Sequence, residues 1–387
     1  MRIHKGFAKV ALAAPFLATL LGGAAAAGPL VPLPAQPPDV PWPTREWPRA
    51  PQPASISPAL EQVLSVVGQK HPLLGETRAV VIVSGGRLIV ERYAPGYGAD
   101  TPLVSWSVAK SITHALLGVA VRQGRVDVDR PMGNPRWPAG DPRASITWRH
   151  WMGMVDGQQY REIDAFDPVE NDAARMLFGP GRLDVAAFAA SLPLVHPPGT
   201  HWNYNSAGIN LVADALGRVF APGAGPVERR DRMAEVLARE LWEPLGMSSA
   251  QPEFDAAGTF MGSAYVYATA RDFARFGLLY LRDGVWEGRR ILPPGWVDFA
   301  RTACPAANGS RYGAGWWLAP SPGPTGPPLP PDVFSAQGHE GQLVSVVPSR
   351  DLVVVRLGLF DDIKGFPALR DWMAQLISLF PARASSP

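Results

Sequence analysis

The sequence predicts an α+β fold: one antiparallel sheet built from strands at both chain ends, flanked by helices, with a helical region inserted between them. Three observations predict it. RAVVIVSGGRLIVERY (78–93) holds two β-branched runs around a Ser-Gly-Gly turn, a hairpin pattern near the start. QLVSVVPSRDLVVVRLGLF (342–360) repeats that pattern near the end, around Pro-Ser-Arg-Asp. Between them, residues 105–300 read mostly as helical pattern broken by Gly/Pro loops. With 387 residues, 47% hydrophobic and 18% charged, the chain can bury a core of that size.

The elements follow in order. Residues 1–27 read as an export signal. Arg2, Lys5 and Lys9 precede an apolar run from Val10 to Leu21, and small residues follow at Ala24–Ala27. Pro15 within the run disfavours a lasting helical anchor. No later run is long and apolar enough for a membrane span, so a periplasmic or secreted protein without a stable span is expected. Residues 28–57 are proline-rich and predict extended backbone, a linker or an arm lying on the body. Folded structure is expected from Pro58, with a first helix reaching about Gln69. A helix from Ser107 to Gln123, stopped by Gly124, follows the first hairpin. A Pro/Gly-rich surface loop spans 319–332. A last amphipathic helix spans about 366–380, and 381–387 is a tail.

Composition excludes some functions. The net charge is only +2, and the arginines are scattered without a basic, aromatic-interleaved cluster, so nucleic acid is not an expected partner. Cys304 is the single cysteine, which excludes an intrachain disulfide. No Gly-x-Ser-x-Gly, His-Glu-x-x-His or phosphate-binding glycine loop occurs. No metal or organic cofactor is expected. His114, Trp148 and Trp151 read as packing residues.

One residue choice points to chemistry. Of 36 basic residues only five are lysine, and one of them is Lys110 in SWSVAKS, among apolar neighbours. Residues three apart share a helix face, so Lys110 can sit beside the Ser107 hydroxyl. A serine hydroxyl needs a nearby base to become a nucleophile. Arginine stays protonated, whereas a buried lysine can approach neutrality. Tyr204, in HWNYNSAGIN, could pass a proton onward, a nearby cation easing its ionisation. FSAQGHEGQLVSVV (334–347) leads a glycine-flanked polar pair into a strand. There Gly341 would allow close approach of a substrate. The Gln342 N–H could join that of Ser107 in an oxyanion hole.

Taken together, these stretches resemble the serine β-lactamase and penicillin-binding-protein superfamily, nearest to class C β-lactamase-like esterases and 6-aminohexanoate-dimer hydrolases. Ser107-Val-Ala-Lys110 matches the first motif, Tyr204-Asn205-Ser206 stands where the family has Tyr-x-Asn, and His339-Glu340-Gly341 stands where it has Lys-Thr-Gly or His-x-Gly. The resemblance covers roughly residues 58–380. It implies a β-lactamase-like fold and a serine hydrolase acting on small esters or amides. Ser107 would be the acylated nucleophile, Lys110 its base and Tyr204 a proton relay. Ser206, His339, Gly341 and Gln342 would line the substrate. Two departures stand out: Ser206 replaces the family's asparagine, and His339 replaces a lysine that holds a β-lactam carboxylate. Both favour ester or amide cleavage over β-lactam hydrolysis. A D,D-peptidase, a true β-lactamase, or a non-hydrolysing binding module on the same fold are the alternatives.

Overall fold

The computed structural model describes residues 29–162, 167, 169–306, 311–319, 327–360 and 365–383. The expected export signal lies outside these residues, as do residues 320–326 of the 319–332 loop and the end of the C-terminal tail. The described body belongs to a single unit, Val31–Pro387.

The antiparallel sheet contains β1 (Lys70–His71), β2 (Gly75–Ser84), β3 (Arg87–Tyr93), β4 (Trp317–Leu318), β5 (Phe334–Gly338), β6 (Gln342–Val347) and β7 (Leu352–Leu359). Across the sheet the order is β4-β5-β6-β7-β2, with β3 and the short β1 both pairing with β2. The two hairpins from opposite chain ends meet where β7 pairs with β2, in a register running from Leu352↔Ser84 to Leu359↔Glu76. Gly85 and Gly86 both have positive φ, as a tight two-residue hairpin turn requires.

Unbroken apolar runs form these strands because helices cover both faces of the sheet. On one face Val80, Ile82, Leu352 and Val354 pack under α1 (Ser57–Leu64) and α5 (Gly365–Ser378). On the other, Val81, Val83, Val344, Val353 and Val355 meet the large core with α4 (Ala270–Leu281). Gly277 permits this approach: a Cβ there would lie 2.6 Å from Val353 Cγ1. Behind α4 runs α2 (Ala109–Arg122), buried from Ala109 to Ala120, and beyond it α3 (Ser206–Phe220). Trp148 and Trp151, read from sequence as packing residues, are buried.

Two expectations change. The first helix ends at Leu64 rather than near Gln69, because Gly68 N–H donates to Thr77 O at 3.1 Å and draws the chain onto β2. Of the two readings of the proline-rich stretch the arm on the body holds, and folded structure begins well before residue 58. Val40 and Trp47 are buried. Prolines lack an N–H, but their carbonyls still accept. Arg275 Nε donates to Pro43 O at 2.8 Å, and Leu88 N–H to Pro48 O at 2.8 Å. The arm is thus strapped to α4 and β3. Among the described residues no helix is long and apolar enough to cross a membrane.

Candidate active site

Ser107 lies in a short 3-10 turn, Trp106–Val108, that runs directly into α2. One turn on, the Lys110 side chain returns beside it, with Nζ 2.7 Å from Ser107 Oγ. Its second partner is the carbonyl of Ser263, at 2.8 Å. The loop carrying that carbonyl is pinned to α2 and α3. Thr113 Oγ1 donates to Gly262 O at 2.8 Å, and Ser263 N–H donates to Asn210 Oδ1 at 3.1 Å. Gly262 has no room for a side chain, since its Cβ would stand 2.4 Å from Thr113 Oγ1.

Lys110 is only 1% exposed. Loss of hydration penalises the ammonium and lowers its pKa to about 8, against a smaller opposing pull from the Glu162 carboxylate. A neutral amine within hydrogen-bond reach of a serine hydroxyl is a geometry for proton abstraction. An arginine at this position would stay charged under the same desolvation.

Tyr204 lies just before α3, beside the Ser107–Lys110 pair. Its ring lies under Lys110, with Nζ 4.9 Å from the centroid, and stacks on Trp317 at 5.3 Å. The cation does not ease its ionisation, contrary to the expectation from sequence. Burial, then the Glu162 charge, push the phenol well above its ordinary range, and the nearby Ser107 hydroxyl offsets only part of this. Tyr204 is therefore a neutral phenol, able to donate and accept.

The second-motif neighbours support the site's walls. Asn205 caps α3, its Oδ1 accepting from Gly208 N–H at 2.9 Å while Nδ2 donates to Asp156 Oδ1 at 3.0 Å. Ser206 is buried, and its N–H donates to Glu162 Oε2 at 3.3 Å.

The third stretch is arranged differently from the expectation. His339–Gly341 is the tight turn between β5 and β6. Gly341 does not open toward Ser107. At φ +84° its missing Cβ faces Arg356 Nη1 and the Phe360 ring, both within 2.3 Å of where that atom would be. The Gln342 side chain clips β6 to β7: its Nε2 donates to Gly358 O at 2.6 Å and its Oε1 accepts from Gly358 N–H at 3.0 Å. Gly338 makes the close approach instead. A Cβ there would lie 2.4 Å from Ser105 O and 3.0 Å from Trp106 Cβ. The strand end beside the nucleophile's turn is thus Gln337-Gly338-His339. The exposed His339 ring meets Trp106 edge-on at 5.4 Å.

Sequence reasoning missed Glu162. Its carboxylate acts electrostatically on Lys110, Tyr204, Tyr160 and Tyr312, so it shares their pocket. It lies in QQYREIDAFD, a stretch with no helical or strand period, so nothing marked it out. The Ser263 carbonyl was equally invisible, because main-chain acceptors carry no residue-type signal. His114 packs as expected: buried, stacked on Trp296 at 4.7 Å, with Nδ1 2.8 Å from Tyr280 Oη.

A two-sided antiparallel sheet whose helical insertion presents a serine, a buried lysine and a tyrosine defines a recognised class of proteins. The chain belongs to the beta-lactamase family, whose model matches residues 77–358. It is 25% identical over 322 residues to the 6-aminohexanoate-dimer hydrolase of Paenarthrobacter ureafaciens, covering 76% of this chain and 75% of that one. Its fold is similar to that of a class C beta-lactamase from Rhodobacter sphaeroides, with a TM-score of 0.57, 17% identity, and coverage of 84% and 99% of the two chains. It is also similar to that of EstCE1, a hydrolase with promiscuous acyltransferase activity, with a TM-score of 0.56, 16% identity, and coverage of 83% and 98%.

Proposed function

We propose that this chain is an exported serine hydrolase that cleaves small esters or amides through an acyl-enzyme on Ser107. The observation that carries the reading is the 2.7 Å contact between Ser107 Oγ and a buried Lys110 whose pKa has fallen to about 8. In this mechanism the Ser107 proton passes to neutral Lys110 Nζ as Oγ attacks the substrate carbonyl carbon. The carbonyl electron pair moves to oxygen, which the backbone N–H groups of Ser107 and His339 receive. Gly338 is what brings the His339 N–H there, in place of the Gln342 N–H expected from sequence. Collapse breaks the bond to the leaving oxygen or nitrogen, which takes a proton from the Tyr204 hydroxyl. Lys110 returns that proton to Tyr204. Water then attacks the acyl carbon by the same route, and Ser107 regains its proton.

Charge in the site bears on substrate class. Glu162 is the carboxylate that acts on this cluster, and it would repel a substrate carboxylate placed beside Lys110. Esters and amides without a carboxylate at that position fit better than β-lactams.

The test mixes the purified protein with an activated short-chain ester and, separately, with a β-lactam, following intact mass and product release. Multiple turnovers on the ester with a transient adduct, lost in Ser107→Ala, are expected. Faster turnover of the β-lactam would assign a true β-lactamase instead. A permanent adduct or none, on both reagents, would favour a binding module.

A further inference from the structure

Two non-glycine residues in the site have left-handed backbone conformations: Trp106, at φ +44°, and Glu340, at φ +61°. Such conformations cost free energy in residues with a Cβ and persist only where surrounding contacts impose them. A side-chain hydrogen bond joins these two residues. Trp106 Nε1 donates to Glu340 Oε2 at 3.0 Å, across 234 positions of sequence. The indole is further held by the Tyr265 ring at 5.5 Å and the His339 ring at 5.4 Å. Trp106 immediately precedes Ser107, and Glu340 immediately follows His339. Each strained residue therefore sets the orientation of a neighbouring backbone N–H, and the two segments are already in contact at Gly338 and Ser105.

We propose that the Trp106–Glu340 hydrogen bond is a latch that sets the gap between the Ser107 and His339 N–H groups. Glu340 is then a positioning residue, acting through Trp106 and touching no substrate atom. The inference rests on the acyl-enzyme reading above. The latch acts on the oxyanion formed in the transition state, so its loss slows acylation while leaving ground-state binding largely intact.

The experiment measures single-turnover acylation by an activated ester, together with KM and Tm, in Glu340→Ala, Trp106→Phe, their double variant and Glu340→Gln. Trp106→Phe keeps a ring and removes only the indole donor. Expected is an acylation rate about 10- to 100-fold lower in each of the first two, with KM changed less than about threefold. The double variant should be no slower than the slower single, since both remove one interaction. Glu340→Gln retains an acceptor oxygen and should stay within about threefold of the parent. Parent-like acylation in Glu340→Ala and Trp106→Phe overturns the latch, as do losses that multiply in the double variant. Ser107→Ala, measured alongside, separates the two readings. If it is inactive while Glu340→Ala is fully active, only the latch falls. If it turns over ester as fast as the parent, the acyl-enzyme reading falls and the latch with it.

Discussion

Replacing Lys110 by arginine isolates the property on which the proposed chemistry depends. The site lowers the Lys110 pKa to about 8 by burial. The neutral fraction of that amine is then about 1% at pH 6, about 9% at pH 7, about half at pH 8 and about 90% at pH 9. Acylation should follow this fraction, rising about tenfold per pH unit below 7 and levelling above 9. The sign follows from chemistry: the base must be unprotonated, so activity is lost as pH falls through its pKa. Arginine stays protonated throughout this range, and its neutral fraction at pH 8 is lower than that of Lys110 by about 10⁴-fold. Lys110→Arg should therefore acylate about 10⁴-fold more slowly at pH 8 while retaining the positive charge. The assay is stopped-flow product burst with an activated ester from pH 6 to 9.5, with circular dichroism to establish that the variant folds. An arginine variant retaining a tenth of the parent rate would refute the role of Lys110 as base. A flat parent profile across pH 6–9 would do the same.

Other perturbations test the surrounding electrostatics and packing. Glu162 pulls the Lys110 pKa upward, so Glu162→Gln should move the acid limb of the acylation profile to lower pH; an unmoved or raised limb would contradict the assigned sign. Gly338→Ala and Gly341→Ala should fail differently. At φ −125° alanine is unstrained at 338, but its Cβ meets Ser105 O, so kcat/KM should drop at least about tenfold with Tm less affected. At 341 the left-handed backbone and the Arg356 and Phe360 contacts should cost more than about 1–2 kcal/mol in urea unfolding. Burial raises the Asp156 carboxyl from 3.8 to about 6. The folded state thus holds a proton that the unfolded state has lost. Stability present below about pH 4 should decline as pH rises through 6, by at most about 3 kcal/mol. Asp156→Asn keeps the Oδ1 that accepts from Asn205 and Gln158, and its urea midpoint should lack this decline.

Sequence alone determined the local features of this protein. Both hairpins were legible because β-branched runs and turn residues act over a few positions. The Ser107–Lys110 pairing was legible because a helix repeats every 3.6 residues, which makes a three-residue separation a contact. His114, one turn past Lys110, and Trp148 and Trp151 read as packing residues, and all three are buried. Tertiary structure decided whatever depended on segments far apart in the chain. The proline-rich stretch read as either a linker or an arm on the body, and the choice fell to Arg275 and Leu88, which reach its carbonyls from distant elements. His339-Glu340-Gly341 looked like the substrate strand, but only strand register showed those residues to be a turn and Gly338 to be the point of approach. Tyr204 looked easier to ionise beside a cation, because burial and the charge of Glu162 cannot be read from its neighbours in sequence. Glu162 and the Ser263 carbonyl join the site from loops without periodicity. Their positions follow from how α2, α3 and the intervening loops pack, a contact pattern that no spacing along the chain encodes.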